Sequence, residues 1–327
     1  DAFFNESVAA LSKATGINIQ YSSNRDLESE IYDAFTAGKA PDIVSFPQPG
    51  LAAEYAAKGA LVDVNSFMPP EVLGERYNQS WLDMATMPGA DGKPIMAGVW
   101  HRFAGKSFVW YRKQAFEERG YEIPANWNEL IDLTQRISAE GDSAWCIGIE
   151  SGVATGWIAT DWTEDLLLRT APLEEYDAWV AGDLPFDSAR VRTVIELWSE
   201  IWFNPEFAYG GREFIVNSSF FDAIMPMFDD PPSCLLHKQG SFLTGLLPEG
   251  LEYGRDYGVF YFPAHDEDLG RPMLISGDMM GMFNERDEVR AVMEYFTTPE
   301  STLAWTQKGT AFSPHLQAGP DMYGTEL

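Results

Sequence analysis

The chain has 327 residues, 45% hydrophobic and 14% aromatic, enough apolar material for two ordinary domains or one large one. Its 50 acidic and 22 basic residues give a net charge of -28, which repels phosphate backbones and anionic lipid and argues against a nucleic-acid partner. No run of about 18 apolar residues occurs, and DAFFNESVAAL at the start lacks the order of a signal peptide, so a soluble chain whose export signal has been removed is expected.

Two cysteines, Cys146 and Cys234, fit either a disulfide or two buried thiols. With no CxxC pair and four dispersed histidines, a zinc site has no support, and no cofactor is expected. The acidic turn HDEDLG (265–270) has oxygen ligands without the spacing of a calcium loop.

In chain order, Phe4, Val8 and Leu11 give the first amphipathic helix, which Gly16 stops. INIQYS (17–22) alternates as a strand does; Leu27, Ile31 and Ala34 give a second helix, and PDIVSF (41–46) a short buried strand. This alternation predicts a parallel α/β sheet. A helix near 51–58 follows, then the turn ADGKP (90–94), the apolar IMAGVW, and the strand KSFVWYRK (106–113), with a helix closing at Gly120. PANWNEL (124–130) joins a breaker, an Asn cap and a helix start. WCIGIES (145–151) resembles a buried strand.

In GWIATDW (156–162), Ile158, Trp162 and Leu166 form the buried stripe of a helix, while Trp157 and Asp161 share another stripe one turn apart. Asp187 or Ser188 caps a helix with the stripe Val191, Val194, Trp198 and Ile201, which sends Trp198 and Trp202 to the core. YGVFYFPA (257–264) and PMLISGDMMGMF (272–283) read as strands, and helices are expected near 287–296 and 298–308. With no linker composition anywhere, two lobes are expected to be joined by crossing strands acting as a hinge.

Taken in order, TGINIQY, AGKAPDIVSF, KGALVDV, DGKPIMAGVWHRFAGKSFVWYRK, PANWNELIDL and YFTTPESTLAWTQKGTAFSP resemble the extracellular solute-binding proteins of ATP-driven sugar importers, family 1. GWIATDW, MFDDPPSCLLHKQGSF and ISGDMMGMF are most similar to its α-glucoside and oligosaccharide branch. The resemblance implies an α/β, two-lobed periplasmic-binding-protein fold of type II, a hinge of crossing strands, and closure on a ligand held in the cleft. Residues 1–105 with 263–308 would form one lobe and 110–257 with 309–327 the other. Relative to the family pattern, the first strand and the C-terminal helices are expected to be missing.

A sugar offers apolar C–H faces and a rim of hydroxyls, so its site needs aromatic platforms beside planar polar groups. On that chemistry Trp157 and Asp161 are the first candidates. VWHRF (99–103) falls on the implied first crossing strand and adds Trp100, His101 and Arg102, with a satisfied hinge histidine as the plain account of His101. SGDMM (276–280) looks like a strand-end loop, Gly277 allowing backbone approach and Asp278 accepting hydroxyl hydrogen bonds, although an Asp after Gly is often only a turn residue. Arg25 in NRD and Gln48 in FPQPG lie at strand-to-helix turns; Glu150 ends a strand; Gln239 and Phe242 lie in HKQGSF, where the resemblance implies a ring.

The expected function is non-catalytic: capture of a di- or oligosaccharide, an α-glucoside by resemblance, for delivery to the membrane permease of an ABC importer. The protein would act as a periplasmic or extracellular monomer. Binding of a polyamine, amino acid or peptide on the same fold, and glycoside hydrolysis, are the alternatives; no nucleophile elbow, P-loop or HExxH supports an enzyme.

Overall fold

The computed structural model describes residues 2–24 and 26–324, and Arg25 lies outside them. Nine strands occur among the described residues: β1 (Ile43–Phe46), β2 (Thr86–Pro88), β3 (Pro94–Met96), β4 (Val99–Gly105), β5 (Phe108–Arg112), β6 (Ser143–Trp145), β7 (Cys234–Lys238), β8 (Tyr257–Tyr261) and β9 (Ile275–Met282). The chain divides into two compact units. The first is Asp1–Ala104 with Ile275–Leu327, and the second is Gly105–Leu274. The tail 309–327, assigned above to the second unit, therefore belongs to the first. Phe312 pairs with Phe103, and His315 with Tyr77, through main-chain bridges that hold it there. Residues 263–274 belong to the second unit, not the first.

The first unit holds a sheet of order β1-β9-β4 and the hairpin β2-β3. β1 runs antiparallel to β9, Ile43 opposite Met282 and Phe46 opposite Met279. Phe46, Met279 and Met282 are fully buried there, and the helix Asp287–Phe296 lays Val289, Val292, Met293 and Phe296 into the same core at helical spacing. INIQYS forms no strand. Its residues pair with none of the strands and Tyr21 instead stacks on Phe4, ring centroids 4.0 Å apart. The expected helix 298–308 is a 3-10 turn, Pro299–Thr302, followed by one turn of α-helix, Leu303–Thr306.

In the second unit the strand order is β6-β7-β5-β8. β6 lies parallel to β7, but β5 is antiparallel to both β7 and β8, so the parallel sheet predicted from helix-strand alternation is not what forms. The segments between these strands are long enough to return the chain in either direction, and alternation alone does not fix that choice. WCIGIES contributes strand at its start, leaves regular structure from Cys146 and makes one isolated main-chain bridge, Glu150 with Ser219.

The caps behave as read. Asn126 accepts the Glu129 amide while the Glu129 carboxylate returns to the Ala125 amide, opening the helix Trp127–Ala139, and Ser188 caps Ala189–Trp202. Ile158, Trp162 and Leu166 are buried on the helix Trp157–Thr170, with the Trp162 ring edge-on to Trp145, Trp202 and Phe262. Cys146 and Cys234 are joined by a disulfide, Cα atoms 5.6 Å apart.

Candidate functional site

Four of the residues read as binding candidates are engaged within the fold. Trp100 is 2% exposed, its Nε1 donates to the Trp81 carbonyl at 2.7 Å, and its ring faces inward from β4. Gly277 is in strand β9 rather than a loop, and a Cβ there would lie 2.8 Å from the Trp100 ring, so packing requires the glycine. Gln239 is buried, its main-chain carbonyl accepting Trp110 Nε1 and its Oε1 the Gly240 amide. Alternation along a strand gives two faces without saying which one is inside; Trp100 and Gly277 lie on the inner face, and Gln239 follows the end of β7. His101 is fully buried. Its Nε2 donates to the Ser301 carbonyl at 3.0 Å, which leaves Nδ1 to accept from Arg102 Nη1 at 3.1 Å. Burial, then the Arg102 charge, holds the ring well below its ordinary pKa, so it stays neutral and orients the arginine.

Two more candidates stand apart from any patch. Glu150 Oε1 accepts the Gly152 amide at 2.8 Å and shapes the turn before the Trp157 helix. Gln48 is exposed at the start of the helix Pro49–Ala57 and makes no side-chain cap.

The remaining candidates gather into one patch on each unit. On the first, Arg102 on β4 pairs with Asp278 on β9 at 2.6 Å, both side chains about one-fifth exposed. The guanidinium lies 4.5 Å from the ring centroid of Trp305. The Tyr21 hydroxyl is raised above its usual pKa chiefly by burial, the Arg102 charge working against this and the Asp278 charge with it. Arg102 is thereby fixed by His101, Asp278 and Trp305 together.

On the second unit, Trp157, Asp161 and Phe242 converge on a residue that sequence reading passed over, Lys106 in the turn between β4 and β5. Its Nζ meets Asp161 Oδ2 at 2.7 Å and lies 4.2 Å from the Trp157 ring centroid and 5.3 Å from that of Phe242. Trp157 is steadied by Phe220, edge-on at 5.0 Å. Gly240 makes this closeness feasible, because a Cβ there would lie 2.6 Å from the Phe242 ring and 3.0 Å from Lys106 Cδ. One turn on, Glu164 has its carboxyl pushed up to about 7 by burial and then by the Asp161 charge, while the Tyr176 hydroxyl donates to it at 3.3 Å. Lys106 and Trp305 carried no signal that periodicity could find, since neither lies on an amphipathic stripe that its own segment continues.

Beneath this patch is a charge cluster closed off from solvent. Asp165 Oδ2 meets Lys238 Nζ at 2.7 Å, and Oδ1 takes hydrogen bonds from Ser107 Oγ at 2.6 Å and from Arg169 at 2.5 Å. Burial pushes the Asp165 carboxyl up, but the Lys238 and Arg169 charges outweigh it and hold it below its usual range. Arg169 also donates to the carbonyls of Phe262, Pro263 and Pro272. Each patch sets a cation over aromatic ring surface and pairs it with an acid, residue types that can take hydroxyl groups.

A family model described as bacterial extracellular solute-binding protein matches residues 1–302. The chain is 38% identical over 322 residues to the osmoprotective compounds-binding protein GgtB of Synechocystis sp., covering 98% of this chain and 75% of that protein. To the alpha-glucosides-binding periplasmic protein AglE of Rhizobium meliloti it is 38% identical over 330 residues, covering 99% and 71%. Among solved structures, the bacterial solute receptor AcbH superposes with a TM-score of 0.80 at 17% identity, covering 98% of this chain and 79% of that one. Maltose-bound MalE3 of T. maritima gives 0.73 at 17%, covering 98% and 80%. The α/β fold is thus that of the two-lobed, type II solute-binding proteins.

Proposed function

Because this chain belongs to the bacterial extracellular solute-binding protein family, whose members are receptors and not enzymes, we propose that it captures a neutral di- or oligosaccharide of the α-glucoside class. It would deliver that sugar to the permease of an ABC importer, working as a monomer in the periplasm or outside the cell. The observation that carries the reading is the group formed by Trp157, Phe242, Lys106 and Asp161: aromatic rings with a charged donor lying over them and paired to an acceptor, the residue types that a sugar ring with its hydroxyl rim requires. Arg102, Asp278 and Trp305 repeat the combination on the first unit. AglE, named for alpha-glucosides, supports the choice of sugar class.

A ligand that binds only the folded state raises its melting temperature. The test is therefore a thermal-shift panel of maltose, trehalose, sucrose, spermidine and glycine betaine, the last because GgtB is named for osmoprotective compounds. A rise with at least one of the glucosides is expected. A rise with spermidine or betaine and with none of the sugars would overturn the reading.

A further inference from the structure

The molecule carries a strong negative field, net charge -28, which concentrates organic cations around it. Aromatic rings beside carboxylates are the surface on which such cations bind, the ring quadrupole and the acid acting together. Both candidate patches contain that pairing of ring and acid, and in both it is already taken by a cation of the chain itself. Lys106 Nζ sits over Trp157 and Phe242 and pairs with Asp161; Arg102 lies over Trp305 and pairs with Asp278. The lysine is held in place. Its side chain is 7% exposed, its main-chain amide donates to the Leu274 carbonyl at 2.7 Å, and Gly240 leaves the space that its stem occupies.

We propose that Lys106 sets the charge class of the solute: its ammonium fills the aromatic and acidic position that a cationic ligand would need, so the patch admits neutral hydroxylated solutes and rejects quaternary ammonium and polyamine cations. The inference rests on the reading of this patch as the solute surface and adds the residue that decides between solute classes. An incoming cation would have to lie against Lys106 in a largely desolvated place, where like charges repel, and would find Asp161 already neutralised. A sugar meets the opposite situation. The ammonium has N–H donors left after its bond to Asp161, and these can take hydroxyl oxygens at the edge of the rings.

The experiment measures binding of choline, of its uncharged carbon isostere and of maltose and trehalose by calorimetry, to the wild-type chain and to Lys106→Met. Wild type should bind a sugar and show no choline binding. Lys106→Met should acquire choline binding roughly tenfold or more tighter than binding of the isostere, because the freed rings and Asp161 favour the charge. It should also lose about tenfold in sugar affinity with the donor gone. Adding Asp161→Asn to Lys106→Met should abolish the choline gain.

Choline binding by the wild type overturns the proposal, and so does a folded Lys106→Met that binds choline no better than the wild type. If Lys106→Met does not fold, Lys106→Gln keeps the length and polarity of the side chain without its charge, and the same two outcomes decide. A wild type that binds no sugar sinks the oligosaccharide reading by itself, while the choline measurements still report on Lys106, so the two failures are told apart.

Discussion

Trp157 and Trp162, five positions apart on one helix, have opposite surroundings: the first is half-buried beneath the Lys106 ammonium, the second 1% exposed among Trp145, Trp202 and Phe262. Trp162→Ala should cost about 3–5 kcal/mol of stability through the cavity it leaves. Trp157 is half-buried against Phe220, so Trp157→Ala should cost clearly less stability and lose most of the sugar affinity; comparable losses of stability in the two variants would contradict this division. That much was legible, because a period of 3.6 separates the two faces of a helix. Lys106 was not, since 55 residues separate it from Asp161 and only the folded chain joins them. Glu164 gives a pH signature. Its folded pKa of about 7 exceeds the ordinary carboxyl value of 4.5, so folding favours its protonated form, and stability is lost as pH rises from about 4.5 through 7. The groups facing it are Asp161, Tyr176, Lys106 and Asp165. His237 and His315, both lowered to about 4 chiefly by burial, act in the opposite direction as pH falls from 6.5, so a difference between variants isolates the glutamate. Glu164→Gln should be more stable than wild type by roughly 3 kcal/mol at pH 8, the gap closing near pH 4.5 in denaturant titrations. A gap independent of pH would remove Glu164 as its cause.

Between elements, the Asp165 cluster fastens the second unit from within, joining the helix Trp157–Thr170 to β7, to Ser107 and to the 262–272 stretch. Replacing Asp165 by Asn keeps the shape but leaves Lys238 and Arg169 buried without a counter-charge. The expected cost is about 3–5 kcal/mol in urea unfolding, and a loss below about 1 kcal/mol would mean that water reaches the cluster. Helices and caps were readable from sequence because each is settled within a few residues, as Asn126 with Glu129 and Ser188 with Val191 illustrate. Strand direction was not, because β5 takes its partners β7 and β8 from residues more than a hundred positions away. INIQYS shows the same limit: its alternation is real, yet a strand needs a neighbour, and Tyr21 found Phe4 instead.

For the whole molecule, the family pattern spread over nearly the entire chain made the fold class legible, while the ownership of the tail was misread because Phe312–Phe103 and His315–Tyr77 are contacts that no local pattern announces. Net charge has a consequence at this scale. A surplus of 28 negative charges repels itself in the compact state, and salt screens that repulsion as the Debye length falls from about 30 Å at 0.01 M to about 3 Å at 1 M. The melting temperature should therefore climb with sodium chloride at fixed pH; a flat or falling curve would mean that attractive ion pairs dominate. The second unit is a single uninterrupted stretch, Gly105–Leu274, whose two ends are stitched together: the Lys106 amide donates to the Leu274 carbonyl, and the Leu274 amide to Ser107 Oγ. A segment that enters and leaves through one doorway can be lifted out without cutting its own sheet. Produced alone, residues 105–274 should fold and melt cooperatively by circular dichroism, and a featureless melt would refute this. Such behaviour would make the unit a transplantable cassette, open to grafting between receptors.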